Sequence, residues 1–472
     1  MSSRRTKIVC TLGPASRDTG TVERMLEAGM DVVRINMSHG THDEHAETIV
    51  RVRETAKRKN RHVPIMMDLT GPKIRIGAFG AGAATLIAGA QFTLTTRPVS
   101  GDASGVSINY PPLVADVGVG DRVLMGDGEI ELRVKSKTNT DLVCDVVAGG
   151  ELKSNKGVST PGAKLREEVP TAKDLDDVRF GLTQGIDYFA LSFVRFPREV
   201  QRLRECLQKY GADTPVVVKL EKKEAIENLD GILEVSDAVM VARGDLGLDL
   251  PLEEVPLVQK DCIERAVAAG RPVITATQML ESMIEHPRPT RAEAADVANA
   301  VFDGTDAVML SGETAMGKFP VEAIAVMARI ATASEARIDY TARLEQCETP
   351  RHRPVAEAIA HAACHTAIGL DASVIICCTR SGQTARLVSR YRPPVPIAAV
   401  SPSEETLRRS TLFWGTIPVA ASFEDNVDRM VVHAKAAVRK VGLGREGDRV
   451  VVVAGVPIDE PGTTNVVKAE IL

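Results

Sequence analysis

Val216-Val217-Val218-Lys219-Leu220-Glu221 and Val239-Met240-Val241-Ala242-Arg243-Gly244-Asp245 decide the fold. Each opens as a short apolar run rich in valine, the pattern of a strand buried on both faces in an α/β fold. Each ends in charged side chains that such a strand cannot bury unpaired. The charges read either as a structural ion-pair layer or as a site. One ammonium and two carboxylates on successive strands could hold a divalent cation beside a cationic group, which suits chemistry on an anionic substrate.

Upstream, residues 1–71 read β-α-β-α-β, with strands near Lys7 to Leu12, Asp31 to Met37 and Pro64 to Leu69 and helical patterns at Thr21 to Ala28 and Glu44 to Lys59. That alternation predicts parallel strands with helical crossovers. Between Pro72 and Arg166 only strand-like pieces occur, at Gln91 to Thr96, Gly105 to Tyr110, Arg122 to Met125, Glu129 to Val134 and Leu142 to Val147. Gly, Pro and Asp127-Gly128 punctuate them as turns, so residues 72–166 form an inserted all-β domain. The β-α pattern then resumes with strands near 187–193, 215–221, 238–242, 272–277 and 307–310. Three strands before the insertion and five after it give the arithmetic of a closed (β/α)8 TIM barrel over residues 1–71 and 167–338, with an open doubly wound sheet as the alternative on count alone. Residues 339–472, with a helix at Pro354 to Leu370 and strands near 374–378, 397–400 and 450–454, read as a C-terminal open α/β domain.

The totals exclude several functions. A chain of 472 residues suggests roughly three domains. A net charge of −5 and 3% aromatics, with one Trp, disfavour nucleic acid. Eight scattered cysteines show neither Cys-x-x-Cys nor zinc spacing, which fits a reducing compartment. No run reaches the roughly 18 apolar residues of a membrane span, and the basic start lacks a signal-peptide core, so the expectation is a cytoplasmic protein without a membrane partner.

In a barrel the active site lies at the carboxyl ends of the strands. Those ends carry Arg34, Asn36, Ser38 and His39, then Asp68, then Ser192 and Arg195. Further on come Lys219 and Glu221, Asp245, Thr277 and Gln278, and finally Ser311, Gly312 and Glu313. So many polar strand ends favour a catalytic face over a structural layer. Magnesium usually takes one or two protein carboxylates, a count that Glu221 and Asp245 meet. Arg34 and Lys219 would neutralise charge on a phosphate or enolate oxygen, which points to phosphoryl or enolate chemistry. A pyruvate-enolate lyase or aldolase and a silent sugar-phosphate sensor are the competing readings.

Lys7-Ile8-Val9-Cys10-Thr11-Leu12-Gly13-Pro14, Arg34-Ile35-Asn36-Met37-Ser38-His39-Gly40, Lys219-Leu220-Glu221, Met240 to Gly247, Ala276 to Met283 and Leu310-Ser311-Gly312-Glu313-Thr314 together resemble the pyruvate kinase family, end to end and in order. The resemblance implies phosphoryl transfer from phosphoenolpyruvate to ADP, giving pyruvate and ATP. It implies Glu221 and Asp245 as ligands of Mg2+ or Mn2+, Lys219 on the transferring phosphoryl group and enolate oxygen, and Arg34 on phosphate. Backbone amides around Arg243, Gly244 and Asp245 would bind the substrate carboxylate. Thr277 would lie on the proton route, with Ser311 and Glu313 nearby.

The inserted domain resembles a nucleotide lid, with Arg75 and Lys156 facing the ADP together with Asn36 and His39. Asn36, Ser38, Asp68 and Leu69 match the family's monovalent-cation region. One departure stands there. Potassium-dependent members carry Glu where Asp68-Leu69-Thr70-Gly71-Pro72-Lys73 ends in Lys. An ammonium beside Asp68 can fill the electrostatic role of potassium, so K+ is expected not to be required. Thr379-Arg380-Ser381-Gly382-Gln383-Thr384 and the late Gly462 and Thr463 resemble the walls of an effector site for a sugar phosphate or AMP. The helix opened by Thr290-x-x-Glu293 is expected to be well capped, and the resemblance adds a subunit interface and a homotetramer.

Overall fold

The computed structural model describes residues 4–126, 128–163, 165–166, 168–345, 354–423, 426–457 and 463–472. Asp127 of the expected turn and Gly462 of the expected effector wall lie outside them. Strands β1 (Lys7–Thr11), β2 (Val32–Asn36) and β3 (Ile65–Asp68) come first. The insertion holds β4 (Ala83–Leu86), β5 (Gln91–Thr95), β6 (Gly105–Ser107), β7 (Arg122–Met125), β8 (Ile130–Lys137), β9 (Asp141–Ala148), β10 (Gly150–Lys153) and β11 (Val158–Ser159). After it follow β12 (Tyr188–Leu191), β13 (Val216–Leu220), β14 (Ala238–Ala242), β15 (Val273–Ala276) and β16 (Ala307–Leu310). The last unit contributes β17 (Val374–Cys378), β18 (Ile397–Ser401), β19 (Thr416–Ala420), β20 (Arg449–Gly455) and β21 (Thr464–Ile471).

β1 to β3 and β12 to β16 close in chain order into one parallel barrel, β16 pairing back onto β1 from Lys7 opposite Ala307 to Cys10 opposite Leu310. That closure excludes the open sheet. The insertion forms a six-stranded sheet, β11-β7-β8-β9-β5-β6, and the pair β10-β4, around its own apolar cluster. The last five strands form an open sheet, β19-β18-β17-β20-β21, parallel except for β21. Capping boxes at Thr41 with Glu44, Thr171 with Asp174, and Thr290 with Glu293 start helices His42–Arg58, Ala172–Thr183 and Arg291–Asp303.

Side chains alternate across a strand, so every second residue of a barrel strand points inward. The inward column of β13 and the residue after it is Val217, Lys219, Glu221; that of β2 is Val32, Arg34, Asn36; that of β3 is Met66, Asp68. Val9, Val32, Met66, Val217, Met240 and Met309 pack together as the barrel's lower interior. The polar members of the same columns therefore stand on an apolar base at the carboxyl end. The floor is closed from outside the barrel, because Leu412 and Phe413 of the C-terminal unit join that same interior cluster.

Charged groups fasten this floor. Arg392 donates to both oxygens of Asp306 at 2.8 Å, and both residues are at most 5% exposed. Tyr188 Oη donates to the Arg409 carbonyl at 2.7 Å, and Lys7 Nζ to the Thr416 carbonyl at 2.7 Å. Burial pulls the Lys7 ammonium down to about 8, against the opposing field of Asp31. A lysine lowered on folding binds fewer protons in the native state, so its contribution to stability rises with pH between about 8 and the unfolded value of 10.5. Wild-type protein should gain up to about 3 kcal/mol over a Lys7→Met variant across that window. Paired denaturation midpoints at pH 8 and 10 check this, and a pH-independent difference would refute it.

Candidate active site

At the carboxyl ends of the barrel strands lies a cavity of about 90 Å³. Arg34, Asn36 and Ser38 reach it after β2, Asp68, Thr70 and Lys73 after β3, and Ser192 and Phe193 after β12. Lys219 and Glu221 enter from β13, Asp245 from the turn after β14, and Thr277 from the end of β15. Ten of the residues singled out in the sequence, Lys73 and Ser192 among them, thus share one space.

Four buried charges there form an alternating chain. Arg34 Nε donates to Asp68 Oδ2 at 2.6 Å, Asp68 Oδ1 stands 3.3 Å from Lys219 Nζ, and Lys219 Nζ stands 2.7 Å from Glu221 Oε1. The last contact is ionic, with an angle poor for a hydrogen bond. Burial alone would lower Lys219, but the Asp68 and Glu221 carboxylates outweigh it and hold the ammonium above its ordinary value. For Asp68, burial is likewise overcome by Arg34 and Lys219, which keep it below the usual carboxylate range. Glu221 behaves differently. Burial raises it, Lys219 opposes, and Asp245 adds repulsion, so this carboxylate is short of positive charge.

Thr11, which the strand-end reading left out, and Ser192, which it named, complete the frame. Thr11 Oγ1 accepts from Arg34 Nη1 at 2.9 Å, and Ser192 Oγ accepts from Lys219 Nζ at 2.8 Å while donating to the Leu69 carbonyl at 2.7 Å. The strand-end rule, applied also to β1, names Thr11. Gly244 N–H donates to Thr277 Oγ1 at 2.8 Å. Thr277 and Gln278 take positive φ values of 68° and 53°, as does Phe193 at 58°, whose N–H donates to Glu221 Oε2 at 2.8 Å. A β-branched residue in the left-handed region is strained, and such strain gathers at functional sites.

Other expected residues stand apart from the cavity. Arg243 turns away, donating to Asp296 Oδ1 and the Thr277 carbonyl, each at 2.7 Å. Glu313 is buried, and its two oxygens accept backbone N–H groups of Leu280 and Ser311 at 3.0 and 2.7 Å, so it braces two strand ends. Ser311 does not line the cavity, and its hydroxyl is buried without a partner among the described residues. Leu69 sends its side chain into the apolar layer between strands and helices and offers its carbonyl to Ser192. Lys73 shares the cavity with Asp68 but makes no ion pair with it, because Arg34 and Lys219 already occupy that carboxylate.

On the lid side, Arg75 Nη1 donates to the Asn155 carbonyl at 3.0 Å, and the backbone of Arg75 bridges Gly157, next to Lys156. Burial, then Arg75, Lys73 and Arg34, depress His39, which places it within their field. Gly71, where the chain leaves the barrel, has φ of 64°, and a Cβ there would meet Phe193 Cδ2 at 2.7 Å, so only glycine fits. A second cavity of about 290 Å³ lies between the lid and the barrel top, and Lys73, Phe193 and Asp245 line both. In the C-terminal unit, Gly382 N–H donates to Thr379 Oγ1 at 2.9 Å and Thr384 meets Thr464 at 2.8 Å, which brings the 379–384 loop against the strand that follows Thr463. Arg380 offers its carbonyl to Thr406, Ser381 is exposed, and Gln383 opens helix Gln383–Ser389.

A family model described as "Pyruvate kinase, barrel domain" matches residues 3–324, and one described as "Pyruvate kinase, alpha/beta domain" matches residues 357–469. A pyruvate kinase of Geobacillus stearothermophilus is 45% identical over 472 residues, covering 99% of this chain and 80% of the relative. One from Staphylococcus epidermidis is 44% identical over 471 residues with the same coverage. The crystal structure of a pyruvate kinase from Cryptosporidium parvum superposes with a TM-score of 0.93 at 36% identity, covering 99% of this chain and 96% of that one. Among the described residues no helix is long and apolar enough to cross a membrane.

The ion chain yields an expectation independent of activity. Asp68→Asn would leave the Arg34 and Lys219 cations short of their shared buried anion, and should cost about 3–5 kcal/mol. Chemical denaturation of the full chain measures it; a loss below 1 kcal/mol would mean that water already screens these charges.

Proposed function

The chain belongs to the pyruvate kinase family of phosphotransferases, and we propose that the cavity at the barrel's carboxyl end is where it transfers the phosphoryl group of phosphoenolpyruvate to ADP. One observation carries the reading: two cations, Arg34 and Lys219, and two carboxylates, Glu221 and Asp245, face one space together with Thr277. Arg34 and Lys219 hold the phosphoryl oxygens, and Lys219 also meets the enolate oxygen as the bridging P–O bond breaks and the bond to the ADP terminal phosphate forms. The substrate carboxylate takes the Gly244 amide now satisfied by Thr277 Oγ1, whose hydroxyl donates to the Ala276 carbonyl at 2.6 Å. A proton then reaches the methylene carbon of the enolate, from the Thr277 side, giving pyruvate.

The residues present suit a divalent cation. Glu221 is buried with too little positive charge beside it, and Asp245 shares its cavity. Among the described residues no cluster of three or more metal-ligating side chains occurs, so the protein offers two carboxylates, the number magnesium commonly uses. When bound there, Mg2+ or Mn2+ would neutralise charge developing on phosphoryl and enolate oxygens. Arg75 and Lys156 from the lid, with Asn36 and His39 from the barrel, hold the nucleotide. The loop Thr379 to Thr384 with Thr463 takes a phosphorylated effector, and the protein works as a cytoplasmic homotetramer.

Lys73 bears on potassium. Its ammonium has no hydrogen bond or ion pair among the described residues, yet it lines the cavity beside Asn36, Ser38 and Asp68. It therefore supplies a positive charge to the site through space rather than by pairing Asp68, and turnover proceeds without K+.

Two measurements test this reading. Lys219→Met should lower kcat by about 10³-fold or more, while magnesium still raises the melting temperature through Glu221 and Asp245. Near-normal turnover would return the charges to a structural role. Initial rates against phosphoenolpyruvate should persist when the only monovalent cation is bulky and organic, and should respond to a sugar phosphate or AMP at subsaturating substrate. Turnover that vanishes until potassium is added defeats the role given to Lys73, and indifference to every effector defeats the loop assignment.

A further inference from the structure

The barrel's opposite end carries an unbalanced charge that the phosphoryl-transfer site does not explain. Between the barrel floor and helix Gln383–Ser389 lies a cleft lined by Arg271, Arg386, Arg390 and Arg392, with Asp306 the one carboxylate among them. Two of these guanidinium groups are neutralised. Arg392 holds both oxygens of Asp306, and Arg390 pairs with Glu357 at 3.0 Å.

The other two are not. Among the described residues Arg271 donates only to the Leu233 and Glu234 carbonyls, at 2.9 and 3.2 Å. Arg386 is half-buried, and its guanidinium has no hydrogen bond or ion pair among the described residues. The carboxylate whose field reaches both is Asp237, and its Oδ2 is already committed to Arg204 at 2.7 Å and to the Val216 N–H at 2.8 Å. Burial lowers both guanidinium groups, and the charge of Arg386 adds to the lowering of Arg271. Like charges from two structural units thus face each other with one shared, occupied carboxylate. Such an arrangement is unfavourable unless an anion completes it.

We propose that this cleft is a binding site for a phosphoryl oxyanion, the group presented by inorganic phosphate or by a phosphomonoester, held between Arg386 of the C-terminal unit and Arg271 of the barrel. Guanidinium donors suit such oxygens bidentately, and none of the five N–H groups of Arg386 has a partner among the described residues. The cleft measures about 10 Å³, room for one oxygen-sized group, so a phosphoryl oxygen enters while the remainder stays at the mouth. None of Thr379 to Thr384 lines it, which separates it from the effector loop although both belong to the same helix.

The test is calorimetric titration of the full-length protein with inorganic phosphate and, in a parallel arm, with glycerol phosphate, at constant ionic strength. Wild type should show a binding event that weakens at least tenfold in Arg386→Met and in Arg271→Met but persists in Ser381→Ala. The two variants lie in different units, so a folding defect in one leaves the other informative. Phosphate held at the catalytic face is indifferent to either substitution. Tighter binding of the free anion or of the ester identifies which source the cleft takes. Equal titrations in wild type and both Arg variants overturn the proposal, as does a loss confined to Ser381→Ala.

Discussion

Everything at the carboxyl end of the barrel depends on the alternating chain Arg34, Asp68, Lys219, Glu221. Burying four charges carries a desolvation penalty of several kcal/mol per ion, and only near-complete pairing offsets it. The pairing in turn requires that three strands deliver their inward columns at the same height, because slipping any strand by one residue would swing its charge into the helix layer. Register is fixed lower down, where Val217, Val32 and Met66 belong to the apolar base. The chain of charges is balanced internally up to Glu221, where Asp245 tips it negative. That residual deficit makes the Glu221 and Asp245 end of the network the place where further positive charge is favoured.

Much of this was legible in the sequence because it is local. Strands β13 and β14 announce themselves as apolar runs, and the charged residues that end them fall at a strand's carboxyl end wherever the strand is placed. Partner choice was not legible. Whether Arg243 faces substrate or turns back depends on Asp296, which comes from a different helix, and nothing in the Arg243-Gly244-Asp245 stretch encodes that. For Glu313, residue type and position at a strand end were legible, but not that its oxygens accept the N–H of nearby Ser311 and of distant Leu280. Lys73 and Asp68 are close in sequence and share the cavity, but that Arg34 and Lys219, remote in sequence, are the cations paired with this carboxylate was not legible.

The strands that sequence reading passed over share a physical signature. β19 contains Pro418, which an edge position tolerates because one side of the strand has no ladder to donate to. β21 is the opposite edge and alternates polar residues such as Asn465, Lys468 and Glu470, so no apolar run marks it. β4, β10 and β11 have four, four and two residues, too few for alternation to emerge. Interior strands of a closed barrel escape this difficulty, since every one of them is paired and covered on both sides. The catalytic half of the molecule was therefore the half most readable from residues alone.

The barrel floor constrains how the units can behave. Leu412 and Phe413 fill the barrel's interior from below, so lifting the C-terminal unit away would open the apolar base on which the ion chain stands. It would also strip Asp306 of Arg392 and leave a buried carboxylate without its cation. Phe413 has a second neighbour, for its ring lies 3.5 Å from where a Gly382 side chain would begin. One aromatic ring thus touches the turn of the 379–384 loop on one side and the inward columns of the barrel on the other. In a close-packed interior neither contact can shift by an ångström without loss of dispersion or steric overlap. The loop, the floor and the columns that carry Arg34 and Lys219 are for that reason one mechanical body, although the sequence presents them as separate domains.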